Sequence, residues 1–194
     1  MTRNQNIVAL ENELARLTKL VYYDELTGIL NRRGFLEEAE KQFRGISFGK
    51  TPLERRVGIQ IPLSIVYIDL DDFKKINDSF GHDAGDLALQ NVAVVLREQL
   101  RASDVFARWG GEEFVVALVG ASAESARIAA EKIRQGIESR EMKFEGKNFH
   151  VTASFGIKAY QKEKSLTGII ASADKAMYSA KRLGKNRVVI FDGK

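Results

Sequence analysis

Apolar positions in residues 5–22 fall at Ile7, Leu10, Leu14, Leu17 and Val21, in steps of 3, 4, 3 and 4. That spacing predicts a helix with one apolar stripe, about two heptads of an a/d seam. Two readings are open here: a single amphipathic helix lying on the domain, or a short parallel coiled coil that pairs two chains. Asp24-Glu25-Leu26-Thr27-Gly28 breaks the pattern, and a second helix begins near Arg33. Residues 45–62 collect three glycines, both prolines and the triplet Glu54-Arg55-Arg56, which predicts a surface loop. Residues 63–69 are apolar almost throughout and end in acid, the pattern of a buried strand. A short helix is expected at 74–77. Asp83 then caps a longer one, with Leu89, Val92, Leu96 and Leu100 on its inner face.

Two strand-like runs, 104–109 and 114–119, flank Gly110-Gly111. A Gly-Gly pair between strands predicts a two-residue hairpin, because both central residues of such a turn need positive φ. Ser122 or Ser125 opens a helix carrying Ala126, Ala130, Ile133 and Ile137. Residues 150–160 read as a strand, 172–183 as a helix closed by Gly184, and 187–191 as the last strand. The expected fold is α/β (α+β), a central mixed and mainly antiparallel five-stranded sheet flanked by helices. An N-terminal helix, 1–22, precedes a single domain, 23–194.

Composition removes several chemistries. The chain of 194 residues has no cysteine, which excludes disulfides, thiolate metal sites and thiol nucleophiles. Its two histidines, His82 and His150, argue against a histidine-built zinc centre. No apolar run approaches the roughly 18–20 residues that span a membrane, and no signal peptide is visible, so a cytoplasmic chain without membrane contact is expected. The net charge of +4 is concentrated late, at Lys175, Lys181, Arg182, Lys185 and Arg187. Polynucleotide binding usually shows more basic residues with interleaved aromatics, so a phosphorylated small molecule is the better expectation than nucleic acid.

The candidate chemistry lies at two strand ends. Asp69, Asp71 and Asp72 close the buried strand, and alternation puts Asp69 and Asp71 on one face. Glu112 and Glu113 follow the two glycines of the hairpin. If the hairpin tip lies beside the strand end, Glu112 and Asp69 can share a hard divalent cation, an arrangement suited to phosphoryl or nucleotidyl transfer. Lys74, just beyond, can neutralise charge on a phosphate. Asn77 and Asp86 offer an amide and a carboxylate that match the donors and acceptor on the guanine edge. Each feature also has an ordinary reading: a solvated turn, an acidic strand end facing water, Asn77 ending a helix, Asp86 favouring a helix start, His82 as a turn residue.

The sequence GGEEF at 110–114 resembles the signature of the GGDEF family, the diguanylate cyclases. DELTGILNRRGF (24–35), DLDDFKKINDSFGHDAGD (69–86), ASFGI (153–157) and ADKAMYSAKRLGKNRV (173–188) resemble the family's other motifs, in the same order. The resemblance covers 24–191 and implies a fold similar to adenylyl cyclase catalytic domains and polymerase palms. It implies condensation of two GTP into cyclic di-GMP and two pyrophosphates by a homodimer with one GTP per subunit. It makes Asp69, the Leu70 carbonyl and Glu112 ligands of Mg²⁺ or Mn²⁺, with Glu112 also the base for the 3′-hydroxyl. Gly110, Gly111, Glu113 and Phe114 complete the signature. Lys74 would stabilise the transition state, with the Phe73 and Lys74 N–H groups on the phosphates. Asn77 and Asp86 would read guanine, His82 would lie at the nucleotide, and Lys181 and Lys185 would reach the terminal phosphates.

Arg101-Ala102-Ser103-Asp104 resembles the family's RxxD product-inhibition site, with Lys132 or Arg134 as the second cation. Lysine cannot make a guanidinium's fork contact, which predicts weak inhibition if Lys132 serves. Three departures are visible: Glu112 where Asp is commoner, Lys185 where Arg is frequent, and a 45–62 loop about ten residues longer than usual. An upstream sensor domain or a partner is expected to deliver the signal. The alternative is a catalytically silent module binding GTP or cyclic di-GMP, against which the intact Glu112, Asp69 and Lys74 speak.

Overall fold

The computed structural model describes residues 3–47 and 61–193. Helix α1 (Arg3–Tyr22) leads into a two-residue strand β1 (Leu30–Asn31) and helix α2 (Arg32–Ser47). Strand β2 (Leu63–Leu70) is followed by α3 (Phe73–Phe80) and α4 (His82–Gln99), then the hairpin β3 (Val105–Gly110) and β4 (Glu113–Val119). Helix α5 (Ala123–Glu138), the small hairpin β5 (Met142–Phe144) and β6 (Lys147–Phe149), β7 (Ala153–Ala159), α6 (Leu166–Arg182) and β8 (Val188–Ile190) complete the chain.

The main sheet runs β1-β3-β4-β2-β7-β8. Its central pairs are antiparallel, and only the outer pairs, β1 with β3 and β7 with β8, are parallel. Every residue of β2 is buried, because helices cover both faces. Val66, Ile68 and Leu70 pack with Leu89, Val92 and Leu96 of α4 and Ile133 and Ile137 of α5. Ile65 and Tyr67 turn the other way, onto Phe35, Phe43, Ile169 and Met177 of α2 and α6. Gly156 of β7 lets α6 lie against the sheet: a Cβ there would stand 2.1 Å from the Ala173 carbonyl oxygen. The sheet end that receives Asp69 is thus set by a close helix–strand contact.

Several expectations are corrected. The sheet has six strands rather than five, because β1 is too short to show alternation. The β5–β6 hairpin was not expected, and β7 begins at Ala153 rather than 150. Helix α6 starts at Leu166, six residues before the expected start, with the Ser165 hydroxyl accepting from the Gly168 N–H; Gly168 obscures the periodicity of its first turn. Gly81, not Asp83, occupies the cap position of α4, and Asp83 stands in its first turn. The turn of the β3–β4 hairpin is Gly111-Glu112, since Gly110 pairs with Glu113, and of the two glycines only Gly111 has positive φ (45°). Of the expected 45–62 loop, 45–47 belong to α2, and 48–60 lie outside the described residues.

The α1 stripe does not join the core. Leu10 and Leu14 are 70% and 66% exposed, and Ile7 and Leu17 are exposed as well. Among the described residues no helix is long and apolar enough to cross a membrane.

Candidate active site

The register of the sheet brings the two acidic stretches together. Asp69 of β2 pairs with Glu113 of β4, and the Leu70 N–H donates to the Glu112 carbonyl at 3.3 Å. The β3–β4 turn therefore lies beside the end of β2, and the condition set by the sequence is met. A bulge between Arg108 and Gly110 shifts the register just before the turn. Arg108 braces that turn from behind, donating from Nη2 and Nε to the Gly111 carbonyl at 2.8 and 2.9 Å. Its Nη1 also meets Asp24 at 3.2 Å, tying the Asp24–Thr27 turn after α1 to the signature hairpin. Burial opposes ionisation of Asp24, but the bonds from Thr27 and Arg108 win and hold its carboxyl below the ordinary range.

Four carboxylates gather at this end: Asp69, Glu112, Glu113 and, from α6, Asp174. Burial pushes all four above the usual carboxylate range, and for Asp69, Glu112 and Glu113 repulsion from neighbouring carboxylates adds to it. Two bonds act against that trend. Lys181 Nζ lies 2.6 Å from Asp69 Oδ1, and the Tyr67 hydroxyl donates to Glu113. Burial and the neighbouring Glu113 together raise the Tyr67 hydroxyl well above its ordinary pKa. The cluster is thus a site of concentrated negative charge that a single ammonium only partly balances.

Asp69, Glu112 and the Leu70 carbonyl are hard oxygen donors, the donor type that hard divalent cations take. Among the described residues no three acidic or histidine side chains converge as a finished metal cage. Two carboxylates and a carbonyl would leave the rest of an ion's shell to phosphate and water, as Mg²⁺ prefers.

Asp71 is not part of this cluster's donor set. Its carboxylate accepts from Ser154 Oγ at 2.7 Å, Thr152 Oγ1 at 2.8 Å and the Asn186 N–H at 2.9 Å, which fixes β2 to β7 and to the loop before β8. Asp72 takes a left-handed conformation (φ 54°) that turns the chain into α3, and it accepts from Lys185 Nζ at 2.7 Å. Lys74 is exposed in the first turn of α3, where the Phe73 and Lys74 amides have no partner within the helix. Asn77, near the end of α3, lies against the backbone of α4: a Cβ on Gly85 would fall 2.0 Å from Asn77 Oδ1. That oxygen is buried without a hydrogen-bond partner, at a cost of about 1–3 kcal/mol. Asp86 follows Gly85 directly and is exposed, as is His82 at the start of α4.

The RxxD stretch is elsewhere, at the far end of β3. Arg101 and Asp104 form a turn, with the Asp104 N–H donating to the Arg101 carbonyl and the Arg101 N–H to Asp104 Oδ2, both at 3.0 Å. They border a groove of about 330 Å³ whose other side is Ser125, Ile128, Ala129 and Lys132 of α5. The structure brings Lys132 to this groove; Arg134 is instead engaged with Glu131, Glu138 and Asn186.

Sequence reasoning passed over Asp174 and Tyr67. Both carried a signal: Tyr67 is two residues before Asp69 on the same strand face, and Asp174 and Lys181 are seven apart on one helix face.

The fold and the candidate site are thus an antiparallel-centred sheet with acids at the end of its middle strand, a carboxylate-bearing turn beside them and the Lys181 and Lys185 ammonium groups against them. The family model "Diguanylate cyclase, GGDEF domain" matches residues 21–187, and the chain belongs to that family. Diguanylate cyclase A of Treponema denticola is 44% identical over 129 residues, 66% of this chain and 35% of that protein. The coiled coil and GGDEF domain of DgcB from Caulobacter crescentus, solved in complex with c-di-GMP, superposes with a TM-score of 0.85 at 27% identity, over 96% of this chain and 94% of that one. The active GGEEF domain of a diguanylate cyclase from Vibrio cholerae gives a TM-score of 0.72 at 33% identity, over 84% and 98%. The chain spans only 35% of the length of the Treponema protein, 26% of diguanylate cyclase DgcP of Pseudomonas aeruginosa and 35% of diguanylate cyclase DosC of Escherichia coli, which it also resembles.

Proposed function

We propose that the chain is a diguanylate cyclase, condensing two GTP into cyclic di-GMP and two pyrophosphates as a homodimer. The observation that carries this reading is the pairing of Glu112 with the Asp69 strand end beneath Lys181. Asp69, the Leu70 carbonyl and Glu112 would hold the divalent ion, which supplies Lewis acidity at the α-phosphate. Glu112, with its pKa raised by burial and by Asp69, is the base that takes the proton from the 3′-hydroxyl. That oxygen forms a bond to the α-phosphorus of the GTP on the facing subunit as the bond to pyrophosphate breaks. Lys181 and Lys185 receive the terminal phosphates; the Phe73 and Lys74 amides and the Lys74 side chain meet the charge that develops on them. Asn77 and Asp86 select guanine, and His82 lies at the nucleotide's edge.

One site holds one nucleotide, so two copies must face each other, and the exposed α1 stripe is the surface that pairs them. The Arg101–Asp104 turn with Lys132 is a product site, weaker than one closed by two arginines. Input comes through α1, from a sensor domain or partner, and Arg108 carries the end of that helix to the catalytic turn. Incubation with GTP and Mg²⁺ followed by nucleotide separation tests the reading. Cyclic di-GMP and pyrophosphate in a 1:2 ratio are expected from the wild type, and at least about a hundredfold less from Glu112→Gln. A folded, dimeric wild type that yields neither would overturn it.

A further inference from the structure

The loop between α6 and β8 is conformationally costly. Gly184, Lys185 and Asn186 follow one another with φ of 115°, 63° and 46°, and two of these residues carry a Cβ. Left-handed stretches of this kind persist only where their surroundings over-determine them. Two anchors do so here. On one side Asp71 accepts from the Asn186 main-chain N–H. On the other, Arg134 Nη1 of α5 donates to Asn186 Oδ1 and Asn186 Nδ2 donates to Glu138 Oε1, each at 2.7 Å. Arg134 is itself fixed by Glu131 and Glu138, at 2.7 Å to each, with its side chain only 12% exposed. Within this loop stands Lys185, whose Nζ reaches Asp72 at the acidic strand end. Arg127, two turns earlier on the same helix, has its described hydrogen bonds and ion pair with Glu124 of that helix.

We infer that Arg134 is a positioning residue for the substrate's phosphates: through Asn186 it holds the left-handed loop in the one register that puts Lys185 over the end of β2. The inference rests on the reading of that strand end as the triphosphate site. It makes nucleotide affinity depend on a side chain of α5 that touches no nucleotide. Fold stability is a separate matter, because Asp71 keeps its bond to the Asn186 main chain whatever side chain stands there.

Asn186→Gly separates the two roles. Glycine accepts positive φ and keeps the N–H bond to Asp71, but it loses both bonds to α5. Affinity for a non-hydrolysable GTP analogue with Mg²⁺ is measured by calorimetry, alongside KM, kcat and the unfolding midpoint. Asn186→Gly and Arg134→Gln should each weaken the analogue about five- to twentyfold and raise KM in step, with kcat within about twofold. Arg134→Lys should recover part of the loss, Arg127→Gln should lose nothing, and the Asn186→Gly unfolding midpoint should match the wild type. In a Lys185→Ala background Asn186→Gly should cost less than about twofold, since the group it positions is gone. Unchanged affinity in Asn186→Gly, or an undiminished loss in the Lys185→Ala background, would overturn the positioning role while leaving the site's reading intact. A wild type that binds no analogue would overturn the site's reading and the positioning role with it.

Discussion

Two side chains have opposed effects on stability and function. The Oδ1 of Asn77 is buried without a partner, which costs the folded chain about 1–3 kcal/mol. Asn77→Ala should therefore leave the unfolding midpoint level or higher while raising the KM for GTP about tenfold, a split that calorimetry and initial rates would separate. Glu112 behaves in a related way. Its carboxyl is raised by burial and by Asp69, so the folded state holds that proton more tightly than the unfolded chain does. Stability from such a group is present at low pH and is lost as pH rises through the raised value. Glu112→Gln should thus be more heat-stable than the wild type at neutral pH, with the difference shrinking toward the ordinary carboxylate range. Turnover in the same variant should fall about 10²–10⁴-fold, the range for losing a general base. A variant that is less stable at neutral pH, or that keeps its turnover, would contradict both assignments.

The elements owe their placement to contacts of unequal visibility. Strand β2 was plain in the sequence because an apolar run buried on both faces needs no partner to be recognised. The face of α5 was equally plain, with Ala126, Ala130, Ile133 and Ile137 all buried as their spacing requires. Strand β1 was not, since two residues cannot show alternation, and the true start of α6 was hidden by Gly168 inside its first turn. The hairpin's position was legible but not its turn: the bulge before Gly110 moves the tip one residue on, which places Glu112 in the turn itself. Tertiary closeness was invisible throughout. Gly156 looks like any glycine in a strand, yet its missing side chain seats α6 and with it Asp174 and Lys181. Gly156→Ala should destabilise the fold by about 1–3 kcal/mol, an overpacking cost that chemical denaturation would read, and should lower activity by displacing Lys181.

At the scale of the molecule, the proposed reaction needs a second copy, because one nucleotide per site leaves the other half of the condensation to a facing subunit. The order of the motifs along the chain already contained the family, and the fold gathers the end of β2, the β3–β4 turn and the last turns of α6 at one end of the sheet. The proposed pairing rests on α1, whose stripe residues Ile7, Leu10, Leu14 and Leu17 are exposed rather than packed into the core. Leu10→Glu together with Leu14→Glu should dissolve the dimer and lower turnover per subunit at least about tenfold, given the apolar area each leucine would bury. The direct measurement is the rate of cyclic di-GMP formation per subunit across a dilution series, with the oligomeric state followed by light scattering in the same samples. Turnover per subunit that falls in proportion as the dimer dissociates, and that the Leu10→Glu/Leu14→Glu chain lacks even when concentrated, is the predicted result. Undiminished cyclic di-GMP synthesis by samples shown to be monomeric would contradict the account.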